Sequence, residues 1–254
     1  GNRWSMMPKA TFQYDPAGHS QQLYHSCHRV MNWVHAAHIR EALAHAPLGP
    51  EVRLLDAGCS DGELLVRAGG RYAFAVGSDH NLQALRTLQT RLDSDHAAGI
   101  QGDLRRLPFR DHSFDVVCCL ETLEHVEGES LAVAELKRVL KDEGTLIVSV
   151  PIEMGLTVLL KQSVAKTCFG GYRGAYTWKE LWNAFRGRLD RVPRTSVSLH
   201  KGYDYRNTLA EIRRHFASLD MTGLPFKSLG RFLNTQILLV ARDKLPPADA
   251  ASAS

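Results

Sequence analysis

VRLLDAGCSDG, residues Val52 to Gly62, is an apolar strand that runs into an acid and then into a glycine turn. Val52, Leu54 and Leu55 supply the strand, Asp56 and Ala57 close it, and Cys59, Ser60 and Asp61 form the turn between Gly58 and Gly62. Glycine tolerates backbone angles at which a Cβ would clash, so this turn can bring main chain close to a ligand. At the carboxyl end of the first strand of an α/β sheet, such a turn is where nucleoside groups sit.

The pattern continues in both directions. Strand Val52–Ala57 leads to a helix near Glu63–Ala68, stopped by Gly69-Gly70, and strand Arg71–Gly77 leads to a helix bearing Leu82, Leu85, Leu88 and Leu92. A short strand ends at Gly102-Asp103, strand Phe114–Leu120 follows, and a helix around Leu131–Leu140 feeds strand Thr145–Val150 before Pro151. Alternating helices and apolar strands predict a parallel sheet covered on both faces. Upstream, 19–48 reads as a helical lid over the pocket, with Tyr24, His28 or Arg29 reaching it. Downstream, 153–194 mixes Leu156, Leu160, Trp178, Trp182 and Phe185 with eight basic residues and reads as a helical insertion. A helix at Asn207–Phe216, a strand near Ser218–Thr222 and a final strand Gln236–Arg242 then complete the sheet. Residues 1–18 are expected to be a flexible N-terminus with a cloning scar ahead of Met6. Residues 243–254, rich in Pro, Ala and Ser, are expected to be a disordered tail, leaving 19–242 as one domain.

Acids recur where a nucleoside needs acceptors. Asp79 ends the second strand about 17 residues past Gly62, where a carboxylate can accept ribose hydroxyls. Asp103 follows the third strand in QGDLRRLPF, and FDVVCCLETLEHV (Phe114 to Val126) forms the fourth. Together these pieces resemble the class I S-adenosylmethionine-dependent methyltransferases of type 11, and LEHV resembles small-molecule enzymes such as those of ubiquinone biosynthesis. The resemblance covers about Leu54 to Pro151. It implies a Rossmann-like, seven-stranded, mostly parallel sheet and S-adenosylmethionine as cofactor. It also implies contacts from Asp56, Gly58, Cys59, Ser60 and Gly62 in the loop and from Asp79 to the ribose. His80 and Leu104 would flank the adenine, Asp103 would take its amino group, and Leu120 would lie beneath the methionine part. The family's loop usually carries glycine at the position of Ser60.

Methyl transfer to a hydroxyl needs alignment and a group that takes a proton, for which histidine suits neutral pH. His125, just past the fourth strand, is the first candidate, with Glu121 and Glu124 nearby. His200 in SLHKGYDYR is the second, and Tyr203, Asp204, Tyr205 and Arg206 are candidate acceptor contacts. The acceptor is expected to be a small molecule, sugar or lipid-linked group, with peripheral membrane contact through the basic and aromatic insertion. Nucleic acid is disfavoured: a net charge of +4 is too small to argue for it, and the Asp/Asn-Pro-Pro-aromatic tetrapeptide of base-methylating enzymes is absent. RNA methylation is the runner-up, followed by a non-catalytic cofactor-binding protein.

Gly58-Cys59-Ser60-Asp61-Gly62 also matches GxSxG, which would make Ser60 the nucleophile of a serine hydrolase with His200 as base. That motif normally follows several strands, whereas this one follows the first. A nicotinamide fingerprint fails because it needs glycine where Glu63 stands. Five cysteines without CxxC spacing predict reduced thiols and a cytoplasmic location. No metal site is expected. The many histidines of 19–45 lack partners at ligand spacing.

Overall fold

The computed structural model describes residues 33–34, 36–92, 95–169 (backbone alone over 164–169), 176–194, 200–229 and 233–246. Seven strands form one sheet in the order β3-β2-β1-β4-β5-β7-β6. They are β1 (Arg53–Ala57), β2 (Phe74–Asp79), β3 (Ala97–Gln101), β4 (Phe114–Leu120), β5 (Leu140–Pro151), β6 (Phe216–Leu224) and β7 (Gln236–Lys244). The helices are α1 (36–45), α2 (Glu63–Ala68), α3 (Leu82–Arg91), α4 (Glu129–Val139), α5 (Leu156–Phe169), α6 (Trp178–Phe185) and α7 (Tyr205–His215). Pairings among β1 to β5 are parallel, and β7 runs antiparallel between β5 and β6. This is the expected Rossmann-like α/β fold. Its chain order reverses between β1 and β4, the place where such sheets open a crevice at their carboxyl ends.

The strand period of two divides the core between the sheet faces. Leu55, Val117, Cys119, Leu146 and Val148 pack towards α4 and α7. Leu54, Val116, Cys118 and Ile147 pack on the opposite face with Leu64 and Leu65 of α2 and Leu85 and Leu88 of α3. The adjacent cysteines thus belong to opposite cores, and both are fully buried free thiols.

Three expectations need correction. The described part of the N-terminal helix is not a lid: Ala42 and its neighbours Ile39 and Leu43 pack in the second core, where burial of an apolar stripe holds the helix to the sheet. The lid candidates Tyr24, His28 and Arg29 lie outside the described residues. β5 starts at Leu140, directly after α4, because Lys141–Gly144 extend the strand past a register shift between Phe114 and Val116 instead of forming a turn. Residues 243 and 244 belong to β7 and not to a tail: Lys244 pairs with Phe216 and donates from its ammonium to the Leu140 carbonyl. The segment 153–194 does carry helices, α5 and α6, around a small core of Val158, Ala184, Leu189 and Val192.

Candidate cofactor and acceptor site

The loop after β1 is built from glycines that must be glycines. Gly58 has φ +82°, and a Cβ on it would sit 2.3 Å from the Thr122 side chain. Gly62 has φ +80° and caps the start of α2, where a Cβ would overlap Leu88. Ser60 also lies in the left-handed region, at φ 48°, which explains why glycine is usual there in the resembling family. Arg91 of α3 fastens the loop by donating to Asp61 at 2.6 Å and to Glu63.

Asp79 joins this loop to β2. Its Oδ2 accepts from the Ser60 amide at 2.9 Å and its Oδ1 from the Asn81 amide at 2.8 Å. Asn81 in turn caps α3, accepting from Gln83 and Ala84. His80 projects into solvent, its Nδ1 3.5 Å from Asp79 Oδ1. At the end of β3, Asp103 accepts from the Arg105 amide at 2.9 Å and from the Arg105 guanidinium, which holds its carboxyl down at about 2. Burial, reinforced by Asp79, raises the Asp56 carboxyl to about 7.

These loops surround a cavity of about 850 Å³. Of the residues expected there, Gly58, Ser60, Asp79, His80, Asp103, Leu104, Glu121 and His125 line it, joined by Gln101, Arg105, Thr122 and Val126. Asp56, Cys59, Gly62 and Leu120 do not. Cys59 is the clearest departure: its Sγ turns into the core against Gly77, so only its backbone belongs to the loop. Asp56 is buried beneath the loop and Leu120 packs against the second core. Gly62 acts through the geometry of the α2 start.

The loop after β4 forms the other end. Glu121 takes a left-handed conformation (φ 49°), its amide donates to the Ser149 carbonyl at 2.9 Å, and its Oε1 accepts from Ser149 Oγ at 3.2 Å. Burial pushes its carboxyl up to about 7. His125 and His200, 75 residues apart, meet here with their Nε2 atoms 3.3 Å apart. Glu124 beside them is buried, as is Glu153, which accepts from Lys161 at 2.7 Å. His200, the base that a Ser60 hydrolase needs, is therefore engaged at the far loop. The other candidates after His200 serve the fold. Tyr203 is buried with Glu129 and Thr208, Asp204 caps α7 by accepting from the Arg206 amide, Tyr205 is buried, and Arg206 pairs with Asp204. Arg105 and Glu153 escaped the sequence reading; the only signal for Arg105 was its place two residues past Asp103.

Cavity and donors fit an adenosyl group. The positive φ of Gly58 leaves main chain uncovered, the Asp79 and Asp103 carboxylates are acceptors at separate strand ends, and Leu104 and Val126 supply apolar wall.

Comparison with known proteins agrees. The family model described as a methyltransferase domain matches residues 55–148. A ubiquinone biosynthesis O-methyltransferase of Neisseria meningitidis serogroup A is 33% identical over 163 residues, covering 60% of this chain and 67% of the relative. A demethylmenaquinone methyltransferase of Mycobacterium sp. strain KMS is 29% identical over 130 residues, and the match spans about half of each chain (50% and 55%). Among solved structures, the PH0226 protein of Pyrococcus horikoshii superposes with TM-score 0.54 at 19% identity, covering 76% of this chain and 82% of the other. A Listeria monocytogenes protein assigned as an S-adenosylmethionine-dependent methyltransferase gives TM-score 0.58 at 14% identity, covering 84% and 99%.

Proposed function

Because this chain belongs to the class I S-adenosylmethionine-dependent methyltransferases, we propose that it methylates a hydroxyl of a small-molecule or lipid-linked acceptor, in a single domain whose insertion 153–194 flanks the acceptor. The observation that carries the acceptor reading is the convergence of His125 and His200 beside the cavity that Asp79 and Asp103 enter from the other end. The names of the Neisseria and Mycobacterium relatives support an acceptor of the quinone-pathway kind.

Asp79 would accept the ribose hydroxyls, Asp103 the adenine amino group, and Leu104 and His80 would flank the ring. The backbone of Gly58, Cys59, Ser60 and Gly62 would carry the loop against the cofactor, with Asp56 and Leu120 supporting it from below. S-adenosylmethionine supplies a methyl group already activated by its sulfonium. The chain's own tasks are therefore alignment and exclusion of water. The acceptor's proton leaves at the His125–His200 pair, with Glu121 adjoining. Trp178, Trp182 and Phe185 of α6 are exposed, with Arg186 over the Trp182 ring at 5.8 Å, which supports peripheral contact with a lipid surface that presents a lipid-linked acceptor. No helix among the described residues is long and apolar enough to cross a membrane.

Transfer of labelled methyl to a panel of phenolic and lipid-linked hydroxyl compounds tests the reading. On the acceptor that turns over, His125→Ala is expected to lower kcat by about 10²–10⁴ while leaving cofactor affinity unchanged. Wild-type turnover in that variant would remove His125 from the chemistry.

A further inference from the structure

The acceptor end holds a buried carboxylate with no hydrogen bond to account for it. Glu124 has a fully inaccessible side chain, and neither of its oxygens has a hydrogen-bond partner. Its Oε1 lies 3.9 Å from Nε2 of His125 and 3.7 Å from Nε2 of His200, and those nitrogens are 3.3 Å apart. The two longer distances are outside hydrogen-bond range. A buried carboxylate left in that state is strongly unfavourable.

The same three atoms suit a shared ion. A triangle with sides of 3.3, 3.7 and 3.9 Å has a circumradius of about 2.1 Å, so one point stands about 2.1 Å from all three. Zinc binds imidazole nitrogen and carboxylate oxygen at about 2.0–2.2 Å. Among the described residues, these three side chains form the group whose ligand atoms converge closely enough for one ion. On the other side of the His200 ring, Nδ1 faces Oε1 of Glu153 at 3.9 Å. At that distance the pair is not hydrogen-bonded, but Glu153 stands on the side of the ring where such sites place an outer carboxylate.

We propose that Glu124, His125 and His200 bind one divalent cation of the zinc class at the edge of the cavity. Two imidazoles and one carboxylate favour zinc, cobalt or iron over magnesium or calcium, which prefer all-oxygen shells. Three protein ligands leave a coordination position for an oxygen of the acceptor. The inference rests on reading this end of the cavity as the acceptor end. It deepens that reading: with Nε2 of both histidines on the ion, the pair acts by lowering the pKa of an ionisable acceptor hydroxyl, and the proton leaves to solvent rather than to the imidazoles. The proposal departs from the sequence reading, which expected no metal site. The sequence alone does not suggest the group, since the fold must bring His200 across 75 residues to His125.

The test uses the whole chain, stripped by a chelator and titrated with Zn²⁺ and Co²⁺. Wild type is expected to take up one ion per chain, and Co²⁺ to show visible absorption of a histidine-ligated site. His200→Ala and Glu124→Gln should each weaken uptake by about 100-fold or more. Calorimetry with S-adenosylhomocysteine on the same samples reports separately on the cofactor site and on folding, so failure of one reading does not hide in the other. His200 is part-exposed, so His200→Ala decides the matter if Glu124→Gln does not fold. Absence of stoichiometric uptake by wild type overturns the site. So does unchanged uptake by the His125→Ala/His200→Ala double variant.

Discussion

Asp56 shows how a site residue trades stability for position. Its carboxyl, near 4 in an unfolded chain, stands at about 7 in the fold because burial and the neighbouring Asp79 disfavour the charged form. The native state therefore binds a proton between about pH 4 and 7 that the unfolded chain has released. The resulting stabilisation is complete below the unfolded pKa and is lost as pH rises through 7. A shift of three units corresponds to roughly 4 kcal/mol. Asp56→Asn, neutral at every pH, is expected to lose less stability than wild type between pH 5 and pH 8, as read from urea unfolding at the two pH values. Equal losses in both proteins would mean that Asp56 ionises as freely in the fold as outside it.

At the scale of elements, the loop between β1 and α2 owes its shape to backbone conformation, and that was largely legible in the sequence. Gly58 and Gly62 sit at positive φ, as the reading of VRLLDAGCSDG required. What the stretch could not reveal was that Ser60 shares the left-handed region and that Cys59 turns inward, since neither follows from residue type. A left-handed non-glycine residue costs about 1–2 kcal/mol, and glycine loses about 0.5–1 kcal/mol in unfolded-state entropy. Ser60→Gly is thus expected to stay within about 1 kcal/mol of wild type. Gly58→Ala adds both left-handed strain and an overlap with Thr122, and should destabilise by more than about 2 kcal/mol. Denaturant midpoints for the two variants check the order, and Gly58→Ala as stable as Ser60→Gly would refute the loop geometry. The β4 loop was harder to read. LETLEHV announced Glu121 and His125, but the partner that gives His125 its setting arrives from beyond the insertion, and no local pattern encodes that contact.

Across the whole molecule, the sheet order brings the carboxyl ends of β1, β2, β3 and β4 to one cavity, so residues spread from Gly58 to Glu127 share it. Strand alternation made this half of the fold readable, because each strand's apolar run and closing acid are local. The insertion and the N-terminal segment were less readable, since amphipathic helices reveal that a face is buried but not against what. Hence α1 covers the sheet rather than the cavity. The claim on which everything else stands is that this cavity holds an adenosyl cofactor through Asp79. Calorimetric titration of wild type and Asp79→Ala with S-adenosylhomocysteine tests it directly. Expected are one site per chain with a Kd of about a micromolar, near −8 kcal/mol, and a loss of roughly ten- to a hundredfold in the variant, as removal of a charge-assisted acceptor entails. No heat at millimolar ligand, or equal affinity in the two proteins, would contradict it.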